Sequence, residues 1–451
     1  MRAAGALVVL VVAAACAGGP ASPAPAPQAP PAAPAEAVPT PASPRPPAPL
    51  TTPEELRTVH EAMRVPGLED RRFTHDHYWS AVAPYLGGSV SSEVIGRSAE
   101  GRDIREVTFG SGPVSVLLWS QMHGDESTAT MALADIIRFF HDWPDNPLAR
   151  RIASGATIHM IPMLNPDGAE RFRRRNAQGI DVNRDARELQ TPEGQLLKRV
   201  DDELRPDFGF NLHDQNAAVR VGRSDRGVAI ALLAPAFDSA RSVDTKRRRA
   251  MQVASLLVRA MDPMVGGHIA KYDDTFNPRA FGDLIGKWGA STVLIESGAW
   301  PDDPQKQYLR EANFVGILSA LDGIATGSYS EYDPAVYDAL EYNGRRVPDL
   351  LITGGILAVP GLPTLQADIL VNYDEPLLKA GGVISDIGDL EDVQAQDTLD
   401  VSGLYLVPMP DAMDGRGGIN TGLPARFVVA EDPEGIRVRF HFDGGPPKQE
   451  R

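Results

Sequence analysis

The stretch Gln121-Met122-His123-Gly124-Asp125-Glu126-Ser127 sets an imidazole and a carboxylate three residues apart. An apolar run over residues 114–119 precedes it, and a helix-patterned segment over 128–140 follows. At the mouth of a buried strand, such a pair can turn toward one point and supply two ligands to a metal ion. Taken alone, the pair is equally a polar strand-to-helix turn, with Asp125 or Ser127 capping the helix. Residues further along the chain separate the two readings.

Groups far apart in sequence meet only if the fold brings strand ends together. β-Branched and apolar runs at 104–109, 114–119, 157–163, 208–213, 228–233 and 292–295 read as strands, and the glycine-containing turn over 95–102 joins the first of them in a hairpin. Helix-length segments over 128–140, 192–204, 243–261 and 304–321 alternate with them. This alternation predicts an α/β fold with a mixed, centrally parallel sheet flanked by helices. In such sheets functional groups gather beyond the carboxyl ends of the strands. His123, Asn165, His213 and Glu296 all fall there.

Four motifs follow one another in order: His123-Gly124-Asp125-Glu126; Asn165-Pro166-Asp167-Gly168 leading to Asp181-Val182-Asn183-Arg184; Asn211-Leu212-His213; and Leu294-Ile295-Glu296-Ser297-Gly298. Over residues 95–321 the chain resembles the carboxypeptidase A-type zinc metallopeptidases. The chemistry reads the same way without that name. A catalytic zinc takes three protein ligands and keeps a position open, and His123, Glu126 and His213 supply two imidazoles and a carboxylate for one Zn2+. The long separation between Glu126 and His213 suits a site assembled from separate loops, not a finger-type structural site. Asp181 either accepts the second ring proton of a ligand histidine, with His123 the first choice, or is a turn residue before Val182.

The resemblance implies further roles. Glu296 becomes the general base that takes a proton from zinc-activated water and delivers it to the leaving amine; otherwise it is a salt-bridged carboxylate at a strand end. Within Arg171-Phe172-Arg173-Arg174-Arg175, Arg174 is assigned to the oxyanion and Arg175 is the runner-up, while the run as a whole also reads as a solvated basic face. Asn183 and Arg184 resemble the pair that grips a substrate's free C-terminal carboxylate; an ion pair between Arg184 and Asp185 is the alternative. Tyr272 is the candidate for the family's mobile tyrosine. Asp283 lies where relatives line the pocket for the terminal side chain, and also reads as a helix cap. The implied function is a zinc metallocarboxypeptidase acting on peptides with a free C-terminus. The rivals are a zinc amidase for peptidoglycan stem peptides or acyl-amino acids, and an inactive carboxypeptidase-like binding protein.

Composition sets the surroundings of this domain. The chain has 451 residues and a formal charge of -16, which argues against a nucleic-acid partner. From 331 to 451 there are 21 acidic and 9 basic residues, so most of the excess charge belongs to the last quarter. Short β-like runs at 350–357, 367–371, 404–408, 425–429 and 436–442 predict a small, acidic all-β domain there, a sandwich or barrel. At the other end, Arg2, an apolar run over 7–15 and Cys16, the one cysteine, resemble a bacterial lipoprotein signal. Residues 17–50 hold 13 prolines and predict an extended tether. The expected organisation is a signal over 1–16, a linker over 17–50, a catalytic domain over 51–325 and a β-rich domain over 331–451. The expected location is exported, periplasmic or cell-surface, with the membrane reached through a lipid on Cys16. Residues 51–90 also have the position of a pro-segment.

Overall fold

The computed structural model describes residues 52–409 and 419–450. The apolar run over 7–15, Cys16 and the proline-rich segment 17–50 lie outside the described residues. Helix α1 (Pro53–Met63) opens with a capping box in which Thr52 and Glu55 exchange side-chain and backbone hydrogen bonds, and Thr74 caps α2 (His75–Val82). Leu56, Val59 and Met63 of α1 and Tyr78 and Val82 of α2 belong to the principal apolar core. Residues 52–90 are therefore part of the body, and the pro-segment reading fails because removing them would uncover that core.

An eight-stranded mixed sheet organises the body. Its strands are β1 (Val90–Arg97), β2 (Asp103–Gly110), β3 (Val114–Ser120), β4 (Ala156–Ile161), β5 (Phe208–Asp214), β7 (Ile230–Leu233), β8 (Ile269–Lys271) and β9 (Ser291–Ser297), in the order β1-β2-β4-β3-β5-β9-β7-β8. A short strand β6 (Val219–Val221) lies outside it. The β4-β3-β5-β9 centre is parallel, and β1, β2 and β7 meet their inner neighbours antiparallel. Every residue of β5 and β9 is buried, as a parallel strand covered on both faces requires. In β3 the pleat sends Val116 and Leu118 into one core and Leu117 and Trp119 into the other.

Helices α3 (Thr128–Asp142), α4 (Pro147–Gly155), α7 (Thr245–Val265) and α9 (Gln307–Thr326) share the first core with α1. Helices α6 (Pro192–Leu204) and α8 (Phe281–Trp288) share the second. A short α5 (Pro166–Glu170) follows β4. Helix α6 has the bounds its sequence predicts because Thr191 caps it and Pro192 occupies its first turn. The short helices α4, α5 and α8 escaped sequence reading. Among the described residues no helix is long and apolar enough to cross a membrane.

After α9 the chain stays with this body longer than expected. Tyr337 of α10 (Pro334–Asp338) is buried in the first core, and its hydroxyl accepts the Ala234 amide at 3.1 Å. Strand β10 (Asn343–Arg346) pairs with β6. The all-β region thus starts at Leu350, not at 331. It comprises β11 (Leu350–Leu357), β12 (Leu365–Glu375), β13 (Ala380–Gly388), β14 (Asp397–Asp400), β15 (Tyr405–Pro408), β16 (Arg426–Ala430), β17 (Val438–Asp443) and β18 (Lys448–Gln449), all in one sheet. That sheet curls back on itself: β13 hydrogen-bonds to Leu423, Ala425 and Gly444 beside β16 and β17. Of the two predicted forms it is nearer to a barrel, around Ile352, Ile369, Ile384, Leu406, Phe427 and Phe442.

Candidate metal centre and cleft

The turn between β3 and α3 carries His123 and Glu126, and the end of β5 carries His213. Gly124 is required in that turn, since a Cβ there would sit 1.9 Å from the Gly168 carbonyl carbon. His123 Nδ1 lies 2.8 Å from Glu126 Oε1, His213 Nδ1 lies 2.6 Å from Glu126 Oε2, and the two Nδ1 atoms are 3.2 Å apart. Tetrahedral zinc, with bonds of about 2.0–2.1 Å, sets its ligand atoms roughly 3.3 Å apart. Two imidazole nitrogens and a carboxylate facing one point at this scale fit a cation.

The surrounding charges agree. Burial would raise the Glu126 carboxyl, but His123 and His213 hold it well below the usual carboxylate range. Burial pulls His123 down, yet Glu126 and Asp181 outweigh it and push that imidazole up to about 9. His213 is lowered, chiefly by burial. Metal uptake at neutral pH must therefore displace a proton from His123.

Asp181 Oδ1 lies 2.9 Å from His123 Nε2, so the ring's second nitrogen is held by a carboxylate. The same residue also caps its own turn, accepting the Asn183 amide at 3.0 Å, and both sequence readings hold at once. Replacing it, as Asp181→Asn, should weaken metal binding by about 10–100-fold, measured by competition with a chelating dye. Unchanged affinity would leave Asp181 a turn residue only.

Of the arginine run, Arg174 is the one brought to the metal ligands. Its Nη1 reaches Glu126 Oε1 at 3.0 Å and its Nε reaches Asp181 at 3.1 Å. Arg175 is exposed and donates to the Gly179 carbonyl, and Arg171 pairs with Glu100.

Glu296 stands beside His213 in register on the neighbouring parallel strand β9. Among the described residues no hydrogen bond or ion pair reaches its carboxylate. Burial, reinforced by Glu126 and Asp214, pushes its pKa well above the usual range. The salt-bridged alternative is thereby removed. Tyr272 directly follows β8, its amide donates to the Leu232 carbonyl at 2.8 Å, and the Glu296 carboxylate and burial together push its phenol up to about 12.

Asn183 Nδ2 lies 3.5 Å from His213 Nε2, and its Oδ1 accepts the Phe281 amide at 2.9 Å. Arg184 donates to the Asn183 carbonyl and makes no ion pair among the described residues. Asp185 instead accepts from Gln190 and Thr191, so the expected Arg184–Asp185 alternative is absent. Asp283, in the first turn of α8, accepts the Asn277 amide at 2.8 Å, and burial raises it to about 7. A folded-state pKa above the unfolded value of about 3.9 means stability present at low pH and lost as pH rises through 7. Urea unfolding between pH 4 and 8 should show that loss diminished in Asp283→Asn.

Sequence reasoning missed several neighbours. Lys306 Nζ lies 3.1 Å from Asp214 Oδ2 and donates to the Ser297 carbonyl, while Thr128 donates to the same Asp214 oxygen. This buried pair ties the ends of β5 and β9 to the start of α9. Asp214 was visible only as the residue after His213, and nothing in the sequence marked Lys306. Arg71 and the β12–β13 turn were likewise unmarked.

The segment over residues 76–215 matches the family model described as zinc carboxypeptidase. It contains the three candidate ligands, Asp181, Arg174, Asn183 and Arg184, whereas Tyr272 and Glu296 lie beyond it. An uncharacterised protein of Zymomonas mobilis is 28% identical over 154 residues, 33% of this chain and 40% of that one. Carboxypeptidase Z of Mus musculus is 30% identical over 145 residues, 26% of this chain and 22% of that one. The matches thus span well under half of these relatives. A metallo-carboxypeptidase from Pseudomonas aeruginosa, solved with (2-guanidinoethylmercapto)succinic acid, superposes with a TM-score of 0.46 at 16% identity, over 58% of this chain and 71% of that one.

Proposed function

We propose that the protein is a zinc-dependent metallocarboxypeptidase that hydrolyses C-terminal peptide bonds, with one zinc held by His123, Glu126 and His213. The observation that carries this reading is the buried Glu296 carboxylate, which has no hydrogen-bond or ion-pair partner among the described residues and stands in register beside His213 of the cluster. Bound there, zinc would act as a Lewis acid toward the scissile carbonyl and toward water. Glu296 takes the proton of the attacking water and passes it to the leaving amine. Its raised pKa suits a group that must both accept and give up a proton. Arg174 sets a fixed cation where charge develops on the carbonyl oxygen. The guanidinium of Arg184, beside Asn183 and without an ion pair among the described residues, takes the substrate's terminal carboxylate, and Tyr272 covers the bound end. Export and lipid attachment at Cys16 are part of the proposal on sequence grounds.

The test is mass spectrometry of a mixed peptide library with free and amidated C-termini, incubated with zinc-loaded protein. The expected result is single-residue trimming of free ends only. Trimming of amidated ends at the same rate would remove the carboxylate-reading role of Arg184, and no trimming at all would overturn the reading.

A further inference from the structure

The cleft does not open to solvent on every side. A cavity of about 270 Å3 lies beside Glu126 and Arg174, and residues 374–377, the end of β12 and the start of the β12–β13 turn, from the all-β region, form part of its wall. This turn is pinned. Glu375 accepts from Arg71 at 2.6 Å and from Arg72 at 3.0 Å. Both guanidiniums lie over the Phe172 ring, at 5.0 and 4.7 Å, and Phe172 is two residues before Arg174. The Arg71 carbonyl in turn accepts from Ser127 Oγ at 2.7 Å, one residue beyond Glu126. A carboxylate held by two arginines that also stack on an aromatic face is a fixed attachment.

The direction of the substrate follows from the carboxypeptidase reading, on which this inference rests. Asn183 and Arg184 do not line the cavity. With the terminal carboxylate at that pair and the scissile carbonyl at Arg174, the residues upstream of the scissile bond run into the cavity and meet the turn. Taken as a sphere, a space of about 270 Å3 is roughly 8 Å across. At about 3.3–3.6 Å per extended residue, it holds roughly two. Asp374 also lines the wall, and among the described residues its carboxylate has no hydrogen-bond or ion-pair partner.

We infer that the β12–β13 turn is a specificity element. It limits the enzyme to short substrates, with about two residues upstream of the scissile bond, and it offers Asp374 to their free amino terminus. The all-β region thereby acts as a gauge of substrate length.

The experiment is a ladder of peptides sharing one C-terminal residue, in lengths from two to ten residues, each with a free and an acetylated amino terminus. kcat/KM is measured for the zinc-loaded wild type, for Asp374→Asn, for Arg72→Ala, and for a variant with Glu375→Ala and residues 376–379 replaced by Asn-Gly, a pair suited to a tight hairpin. Calorimetry of the same ladder with Glu296→Gln reads binding separately from turnover. The wild type should lose at least about tenfold in kcat/KM between three and five residues, and about tenfold on acetylation of short peptides. The shortened turn should abolish the length step, Arg72→Ala should weaken it, and Asp374→Asn should abolish the acetylation effect alone. A wild type that trims ten residues as readily as three overturns the inference while leaving the carboxypeptidase reading intact. So does a length step unchanged in Arg72→Ala and the shortened variant. If the shortened variant does not fold, Arg72→Ala and the binding ladder decide. No trimming of any free end overturns both, and cleavage of acylated amino acids alone transfers the site to an amidase.

Discussion

Glu296→Gln should lower kcat by about 10²–10⁴-fold, the range for loss of a positioned general base, while zinc per chain stays unchanged. The carboxylate is isosteric with the amide, lies outside the His123–Glu126–His213 set, and forms no hydrogen bond or ion pair among the described residues whose loss would shift the fold. A second readout follows from its raised pKa. A carboxyl whose folded-state pKa exceeds its unfolded value of about 4.3 favours folding at low pH, and that contribution is lost as pH rises through the folded value. The metal-free variant should therefore match the metal-free wild type near pH 4 and melt higher than it at pH 8. Activity within tenfold of wild type would remove Glu296 from the chemistry. Equal melting at both pH values would show that its carboxylate is not desolvated.

The largest stability effect is expected at Arg310. Its guanidinium grips Asp135 with two bonds, 2.7 Å to Oδ2 and 2.5 Å to Oδ1, and both side chains are fully buried. Arg310 also donates to the carbonyls of Leu68 and Val65, and Asp135 accepts the Val65 amide and faces His60 at 3.1 Å. The pair thus fastens α9 and α3 to the connection after α1. Arg310→Met should cost about 3–5 kcal/mol because it strands a buried carboxylate. That is a large part of the roughly 5–15 kcal/mol by which native proteins are stable. The double variant Arg310→Met with Asp135→Leu should recover much of it, since replacing both charges by apolar groups is often neutral. Denaturant midpoints followed by tryptophan fluorescence measure both. A single variant costing under about 1 kcal/mol would show that water or His60 already screens Asp135.

What could be read from the residues alone follows a physical division. The central strands declared themselves because a strand buried on both faces draws mostly on apolar residues, as with Phe208, Phe210 and Leu212 and with Val293, Leu294 and Ile295. The cluster was legible because two of its ligands are histidines, a type the chain uses only nine times, and all three lie at or just beyond the carboxyl end of a strand. The unexpected parts are of two kinds. Helices α4 and α8 are too short for periodicity to register, and β13, with Gly381, Gly382 and Asp386, lacks a strand's usual composition. The rest depend on pairing across long stretches of chain. Arg71 meets Glu375 from 304 positions away along the chain, and Lys306 meets Asp214 across α7 and α8. A lone arginine or lysine carries no local sign of such a partner, so the wall of the cleft and the tie behind it needed the fold. The boundary at 331 was misplaced for a related reason. A charge count marks where acidity increases, whereas Tyr337 shows where the first core ends.

The contact between Gly124 and Gly168 has a further consequence. The turn that presents His123 and Glu126 leans, backbone against backbone, on helix α5, six residues before Arg174, with no side chain between them to lengthen or shorten. The offset between the metal-binding groups and the oxyanion cation is therefore set by main-chain thickness, and substitution has little means to adjust it in small steps. Variation in such a protein is channelled outward, to the rim supplied by other parts of the chain, while the reacting centre itself moves as one rigid block.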